Sequence, residues 1–223
     1  KLGWKYSGRI NGSAIGLRGG IRWLYVKDLT GQTNENYQDV YAKRHRRYIR
    51  NADKRVKVRR LGRDELESFY VIMQHTAERR DFATRKLDYF YSLYDRFGDK
   101  ATFLVAELEE NGKTTPFAGI VFIESNNEMV SYLGGALSDY AKYRGPYLLH
   151  DAMIKKAIEK GYHQYNFYGI EGDIDNPASE GYGVYIFKTR FGTGRPVELI
   201  GEFVMPINVP KYLLFKLLKR TSV

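Results

Sequence analysis

Ala101–Leu133, ATFLVAELEENGKTTPFAGIVFIESNNEMVSYL, holds three runs rich in apolar and β-branched residues, separated by two clusters of turn residues. Ala101–Leu108, Phe117–Ile123 and Met129–Leu133 read as strands. Asn111-Gly112 and Ser125-Asn126-Asn127 supply the turn chemistry that folds them into consecutive hairpins. A three-strand meander therefore stands near the middle of the chain, and the other elements are arranged around it.

Upstream, Asp64–Arg79 reads as a helix with Leu66, Phe69, Tyr70, Met73 and Ala77 at helical spacing. Leu87–Phe97 reads as another, stopped by Gly98. Farther back, Arg22–Leu29 (RWLYVKDL) reads as a strand ending at Thr-Gly. Thr33 or Asn34 can cap a helix running to about Lys54, followed by a short strand at Val56–Arg59. Downstream, Pro146 opens a helix that reaches Lys160 and stops at Gly161. Gln164–Tyr168 is a strand, Gly169–Gly181 a loop, and Val184–Phe191 a short helix ended by Gly192. Glu198–Val204 reads as a strand and Pro210–Lys219 as a final basic helix. The order is strand, helices, three-strand meander, helix, strand, helix, strand. It implies an α/β fold with a mixed sheet covered by helices on both faces. The GNAT-like acyltransferase fold has the same order, an analogy that carries no function by itself.

The 223 residues are 43% hydrophobic and 28% charged, ordinary for a globular protein. No apolar run approaches the length of a membrane helix. The start, Lys1-Leu2-Gly3-Trp4, has no apolar stretch behind it that would read as a secretory signal, and it lacks an initiator Met, as an excised piece would. Absence of cysteine removes disulfides, thiol nucleophiles and zinc-thiolate sites. The four histidines show no metal-ligand spacing, and Glu171, Asp173 and Asp175 lack the ligand series of a calcium loop, so no metal is expected. A net charge of +10 with 19 tyrosines points to a polyanionic partner: nucleic acid, an anionic membrane surface or a phosphorylated substrate.

Six stretches give a more specific signal. They are Tyr41–Ala52 (YAKRHRRYIRNA), Thr76–Arg85 (TAERRDFATR) with Tyr89-Phe90, Tyr132–Gly135 (YLGG), Tyr165–Ile170 (YNFYGI), Tyr182–Lys188 (YGVYIFK) and Ile200–Phe203 (IGEF). In this joint order, from about Trp4 to the end, the chain resembles the FemABX family of non-ribosomal peptide-bond-forming enzymes. The resemblance implies transfer of an amino acid from aminoacyl-tRNA to the stem peptide of a muramyl-pentapeptide precursor, lipid II or its UDP-linked counterpart. That reaction builds the cell-wall cross-bridge, on the cytoplasmic side of the membrane and without a cofactor. Family members carry another GNAT-like half before the point where this chain begins. Residues 1–20 then read as its tail, 21–205 as the catalytic-side domain and 206–223 as a basic C-terminal helix. Only Glu109–Lys113 stands where some members insert a helical arm, so the chain resembles the armless type.

The implied chemistry is aminolysis of an ester, which needs an oriented amine and a stabilised oxyanion rather than a protein nucleophile. The resemblance places an essential lysine at Lys188, next to Phe187 in the substrate cleft. It assigns the precursor's pyrophosphate to Arg85, with Tyr89 and Tyr132. Arg85 and Tyr89 lie four apart at a helix entry and can face one site. Lys43, Arg44, Arg46, Arg47 and Arg50 crowd one helix and suit a tRNA backbone, though a solvated basic face reads the same way. Lys211, Lys216, Lys219 and Arg220 beside leucines suit peripheral contact with the anionic inner leaflet. Two other functions remain open. One is an acyl-CoA-dependent N-acyltransferase, for which Ala141–Pro146 (AKYRGP) offers a single glycine and a proline without an amide proton. The other is a non-catalytic RNA-binding or partner domain.

Overall fold

The computed structural model describes residues 5–8, 21–80, 83–110, 112–179, 181–200 and 202–220. Of the expected tail at 1–20, all but Lys5–Gly8 lies outside them, as do Asp81-Phe82 and Gly201 of the quoted motifs. The elements in chain order are β1 (Lys5–Gly8), β2 (Ile21–Asp28), α1 (Lys43–Ala52), β3 (Val56–Arg60), α2 (Leu66–Arg80) and α3 (Leu87–Phe97). There follow β4 (Ala101–Glu110), β5 (Lys113–Ser125), β6 (Glu128–Ala136), α4 (Gly145–Glu159) and β7 (Gln164–Glu171). Then come α5 (Tyr182–Thr189), β8 (Gly194–Glu198), β9 (Glu202–Val204) and α6 (Val209–Arg220).

Seven strands form a mixed sheet in the order β3-β4-β5-β6-β7-β2-β8. The strands from β3 to β6 are antiparallel, and β6 pairs with β7 in parallel. This is the GNAT-like order expected, with the meander intact. Glu110 stands opposite Lys113, so only two residues separate β4 from β5. Pro116 lies inside β5, where the register slips opposite Ala106 and Glu107. A bulge there accommodates a residue that has no amide proton for the ladder.

Cα packing divides the chain into two units, Lys1–Tyr25 with Gly169–Phe187 and Pro196–Val223, and Val26–Tyr168 with Lys188–Arg195. In the larger unit, Leu66, Phe69, Ile72 and Met73 of α2 and Phe90 and Leu93 of α3 pack on Phe103, Val105 and Val121. Phe69 meets Phe90 and Phe103 edge to face at 5.3 and 5.2 Å. A Cβ on Gly119 would stand 2.8 Å from the Phe69 ring, so that strand position must stay bare for the helix to approach. On the opposite face α4 buries Leu148, Leu149, Met153, Ile154 and Ala157. A Cβ on Gly145 would meet Phe117, Ala106 and Ala118 within 3 Å. In the smaller unit β1 pairs antiparallel with β9, a sheet the sequence did not suggest.

Three expectations change. The helix expected from Thr33 or Asn34 to Lys54 is only α1, Lys43–Ala52. Residues 34–40 form successive turns instead. The Asn36 side chain takes the Thr33 amide at 2.7 Å, and extended Ala42 donates to Arg190 O at 2.9 Å. The strand expected at Glu198–Val204 is two, β8 and β9, in different sheets. The short helix expected at Val184–Phe191 begins and ends two residues earlier.

Candidate active site

The candidate site lies where β6 and β7 stop pairing. They run in parallel register from Glu128↔Gln164 to Val130↔Asn166, and both strands continue beyond. Just past that point each is locally irregular. In β6, Ser131 lies opposite Phe122 and Leu133 opposite Val121, so Tyr132 is an extra, bulged residue. Bulges re-aim a side chain without ending the strand. In β7, Tyr168 has φ +61°, left-handed backbone unusual for an aromatic residue. Asn166 helps hold it there by accepting the Tyr168 amide at 2.8 Å.

These irregularities bring four of the expected residues into one line. Lys188, 6% exposed near the end of α5, donates from Nζ to Tyr168 O at 3.1 Å. The Tyr168 ring meets Tyr132 edge to face at 5.5 Å. The Tyr132 and Tyr89 hydroxyls share a 2.7 Å hydrogen bond. The Arg85 guanidinium lies 5.4 Å from the centre of the Tyr89 ring. Burial, and then the Tyr132 hydroxyl, push the Tyr89 phenol up to about 12, so it stays protonated at neutral pH. Phe187, the other expected substrate contact, is half-buried beside Lys188 on α5.

The segment following Lys188 is fixed by residues the sequence reading did not single out. Lys27 of β2 is fully buried, and its Nζ donates to Phe191 O at 2.9 Å and Thr193 Oγ1 at 2.8 Å. Burial lowers its ammonium to about 8, with Asp28 opposing the shift. Gly192 has φ +71°, and a Cβ there would lie 2.2 Å from Val40 O, so glycine is required for this close approach. Phe191 packs against Tyr41, His45, Phe167 and His150, at centroid distances of 4.9 to 5.7 Å. His150 hydrogen-bonds Tyr165 Oη at 2.7 Å; burial, and then the charge of Lys188, drop its pKa to about 3 and keep it neutral. The signal for Lys27 was its parity: it shares a strand face with buried Tyr25 and Leu29.

The five cations of α1 lie elsewhere in the larger unit. Lys43, Arg44, Arg47 and Arg50 are exposed, and Arg46 approaches Asp39 at 3.9 Å. Among the described residues no three His, Cys, Asp or Glu side chains gather as a metal-binding group. No described helix is long and apolar enough to cross a membrane.

A seven-stranded mixed sheet with an antiparallel meander and one parallel pair that parts early defines the class: a GNAT-like α/β fold. The sequence model of the FemAB family matches residues 1–111 and 108–220, two segments that meet at the β4–β5 turn. The chain belongs to the FemAB family. Aminoacyltransferase FemB of Staphylococcus epidermidis is 30% identical over 259 aligned residues, covering 90% of this chain and 62% of that protein. Aminoacyltransferase FemA of the same species is 26% identical, covering 98% of this chain and 66% of its own length. This chain thus spans about three-fifths of the FemB relative. Among solved structures, FemX superposes with a TM-score of 0.77 at 21% identity, over 96% of this chain and 68% of FemX. The C-terminal domain of a putative lysylphosphatidylglycerol synthetase from Agrobacterium fabrum reaches 0.55 at 15% identity, over 80% of this chain and 60% of that one. At these identities the likeness is one of fold.

Proposed function

We propose that this chain carries the reacting centre of an aminoacyltransferase that moves an amino acid from aminoacyl-tRNA onto the stem-peptide amine of a muramyl precursor. The observation that carries the reading is the continuous line from Lys188 through Tyr168, Tyr132 and Tyr89 to Arg85. The neutral amine attacks the ester carbonyl, a C–N bond forms, and the C–O bond to the terminal ribose breaks. The amine's proton leaves with the ribose oxygen. Lys188 supplies positive charge where the tetrahedral oxyanion develops, in a setting poor in water. Arg85 takes the precursor's pyrophosphate, with Tyr89 and Tyr132 as hydroxyl partners. The cations of α1 take the tRNA backbone.

Gly145 bears on the acyl-CoA alternative. Its bare Cα is used for packing α4 on Phe117 and Ala106, and Pro146 supplies no amide to a pyrophosphate. Exposed Leu213, Leu214 and Leu217 of α6, with Lys211, suit peripheral contact with the cytoplasmic face of a membrane carrying a lipid-linked acceptor. The test is incubation with a panel of charged tRNAs and muramyl-pentapeptide, reading product mass. One aminoacyl addition is expected; acylation only from an acyl-CoA would reject the reading.

A further inference from the structure

A second concentration of positive charge in the larger unit lies where α1 meets the turn leading into α4. Three guanidinium groups surround the Tyr48 ring: Arg144 at 4.5 Å, Arg44 at 5.3 Å and Arg47 at 6.0 Å from its centre. The ring closes one side of a cavity of about 560 Å³, also lined by Lys54, Arg55, Lys142, Tyr143 and Arg144. Among the described residues no carboxylate makes an ion pair with any of these six cations. The acid at the rim, Glu110, accepts a hydrogen bond from Tyr143 at 2.8 Å. Arg144 also has φ +59° while capping α4, a left-handed conformation that costs energy for a residue with a Cβ. Three guanidinium groups around one ring, with Lys54, Arg55 and Lys142 along the adjoining cavity and Arg144 on strained backbone, make an arrangement that an anion would stabilise.

We infer that this pocket is a phosphate-binding subsite for RNA, holding a backbone phosphate between Arg144 and Lys142 with a base or ribose against Tyr48. The inference rests on the proposed tRNA dependence and deepens it. A polynucleotide fits better than an isolated phosphate because the charge continues along α1. Lys43 and Arg50 stand seven residues apart, about 10 Å along the helix, or roughly three nucleotide steps. Rings beside guanidinium groups are the usual platform for unstacked bases. A lipid surface fits less well, since membrane-binding patches set apolar side chains among their cations and none of the pocket's lining residues is an exposed large hydrophobe.

The test uses a fluorescein-labelled RNA acceptor-stem hairpin with a single-stranded 3′ end, titrated with the chain at several salt concentrations. Arg144→Asn keeps a residue that tolerates left-handed backbone, and Lys142→Gln changes an exposed side chain, so neither depends on refolding the site. Each is expected to weaken binding about five- to eightfold at 0.1 M salt and to lower the salt slope by about 0.7 to 0.9. Tyr48→Leu is expected to weaken binding with no change in slope. If Arg46→Glu weakens RNA binding while Arg144→Asn and Lys142→Gln do not, the pocket is refuted and the broader tRNA reading stands. If the wild-type chain does not bind the hairpin at all, both fall. If these substitutions instead weaken sedimentation with phosphatidylglycerol vesicles and leave RNA binding unchanged, the pocket serves a membrane and the inference is overturned.

Discussion

Lys27 offers a quantitative check on how the segment after Lys188 is held. Its ammonium is fully buried, with Phe191 O and Thr193 Oγ1 as acceptors and the Tyr41 ring 5.5 Å away. Those partners do not offset the lost hydration, and its pKa falls from 10.5 to about 8. A difference of that size corresponds to about 3 kcal/mol between protonation states. Below pH 8 the residue is charged in both folded and unfolded chains, and the folded state bears the whole penalty. Between pH 8 and 10.5 the unfolded chain binds the extra proton, so stability rises with pH. Above that range both states are neutral and the effect is complete. Lys27→Met keeps the length and removes the titration. Urea unfolding of wild type and variant from pH 7 to 10.5 should therefore give a stability difference that moves in favour of wild type by about 3 kcal/mol. Taking the difference cancels the tyrosines and other groups common to both proteins. Parallel curves for the two proteins would show that Lys27 is hydrated in solution, and its clamp on Phe191 and Thr193 would have to be abandoned.

Lys188→Met should cut single-turnover transfer by about 10²- to 10³-fold, the usual loss for one oxyanion donor, while precursor affinity measured by calorimetry is kept. An unaltered rate would remove Lys188 from the chemistry. Arg85→Ala should weaken precursor binding by about 1.5–3 kcal/mol, the range for hydrogen bonds to a charged group, and shift the melting temperature little because the side chain is exposed. Full affinity in that variant would reject the pyrophosphate role. Gly135→Ala places a Cβ 2.2 Å from Thr76 Oγ1, which donates to Ile72 O and accepts the Ala136 amide. Overpacking should cost about 1–3 kcal/mol in denaturant unfolding, with part of it recovered by adding Thr76→Ala. Strict additivity of the two substitutions would argue against the contact.

The parts of the fold readable in sequence were those encoded by neighbours in the chain. The meander followed from three apolar runs separated by Asn111-Gly112 and Ser125-Asn126-Asn127, and α2, α3 and α4 from apolar spacing, with Gly98 and Gly161 ending the last two. The error before α1 has a local cause as well. Tyr37, Val40 and Tyr41 carry helical spacing, but Asn36 and Thr33 bond nearby amides and turn the backbone instead. Glu198–Val204 looked like one strand because composition does not show that Ile200, 80% exposed, falls between two pairings. The site was legible through resemblance alone. Periodicity makes Tyr89 and Tyr132 ordinary packing residues, and their 2.7 Å hydroxyl contact joins positions 43 residues apart. Lys27 and Phe191 are 164 apart, so no window of sequence connects them.

The two irregularities at the candidate site lie at the same level of the sheet, in neighbouring strands. A regular parallel strand uses its carbonyls in the ladder and turns successive side chains to opposite faces. The β6–β7 ladder ends at Val130 and Asn166, and the β5–β6 bulge at Tyr132 and the left-handed backbone at Tyr168 both follow within two residues. Left-handed backbone at a tyrosine costs on the order of 1–3 kcal/mol and persists only when its surroundings over-determine it. Here three contacts do so: Asn166 accepts from the amide, Lys188 donates to the carbonyl, and the Tyr132 ring meets the Tyr168 ring edge to face. Lys188 thus helps stabilise the bend that orients its own ammonium, while Lys27 holds the backbone that follows. The lysine's placement and the opening of the sheet are in this sense one structural feature. A β6–β7 ladder continued past Asn166 would straighten the backbone at Tyr168, and with it would go the carbonyl position that brings Lys188 into line with Tyr132 and Arg85.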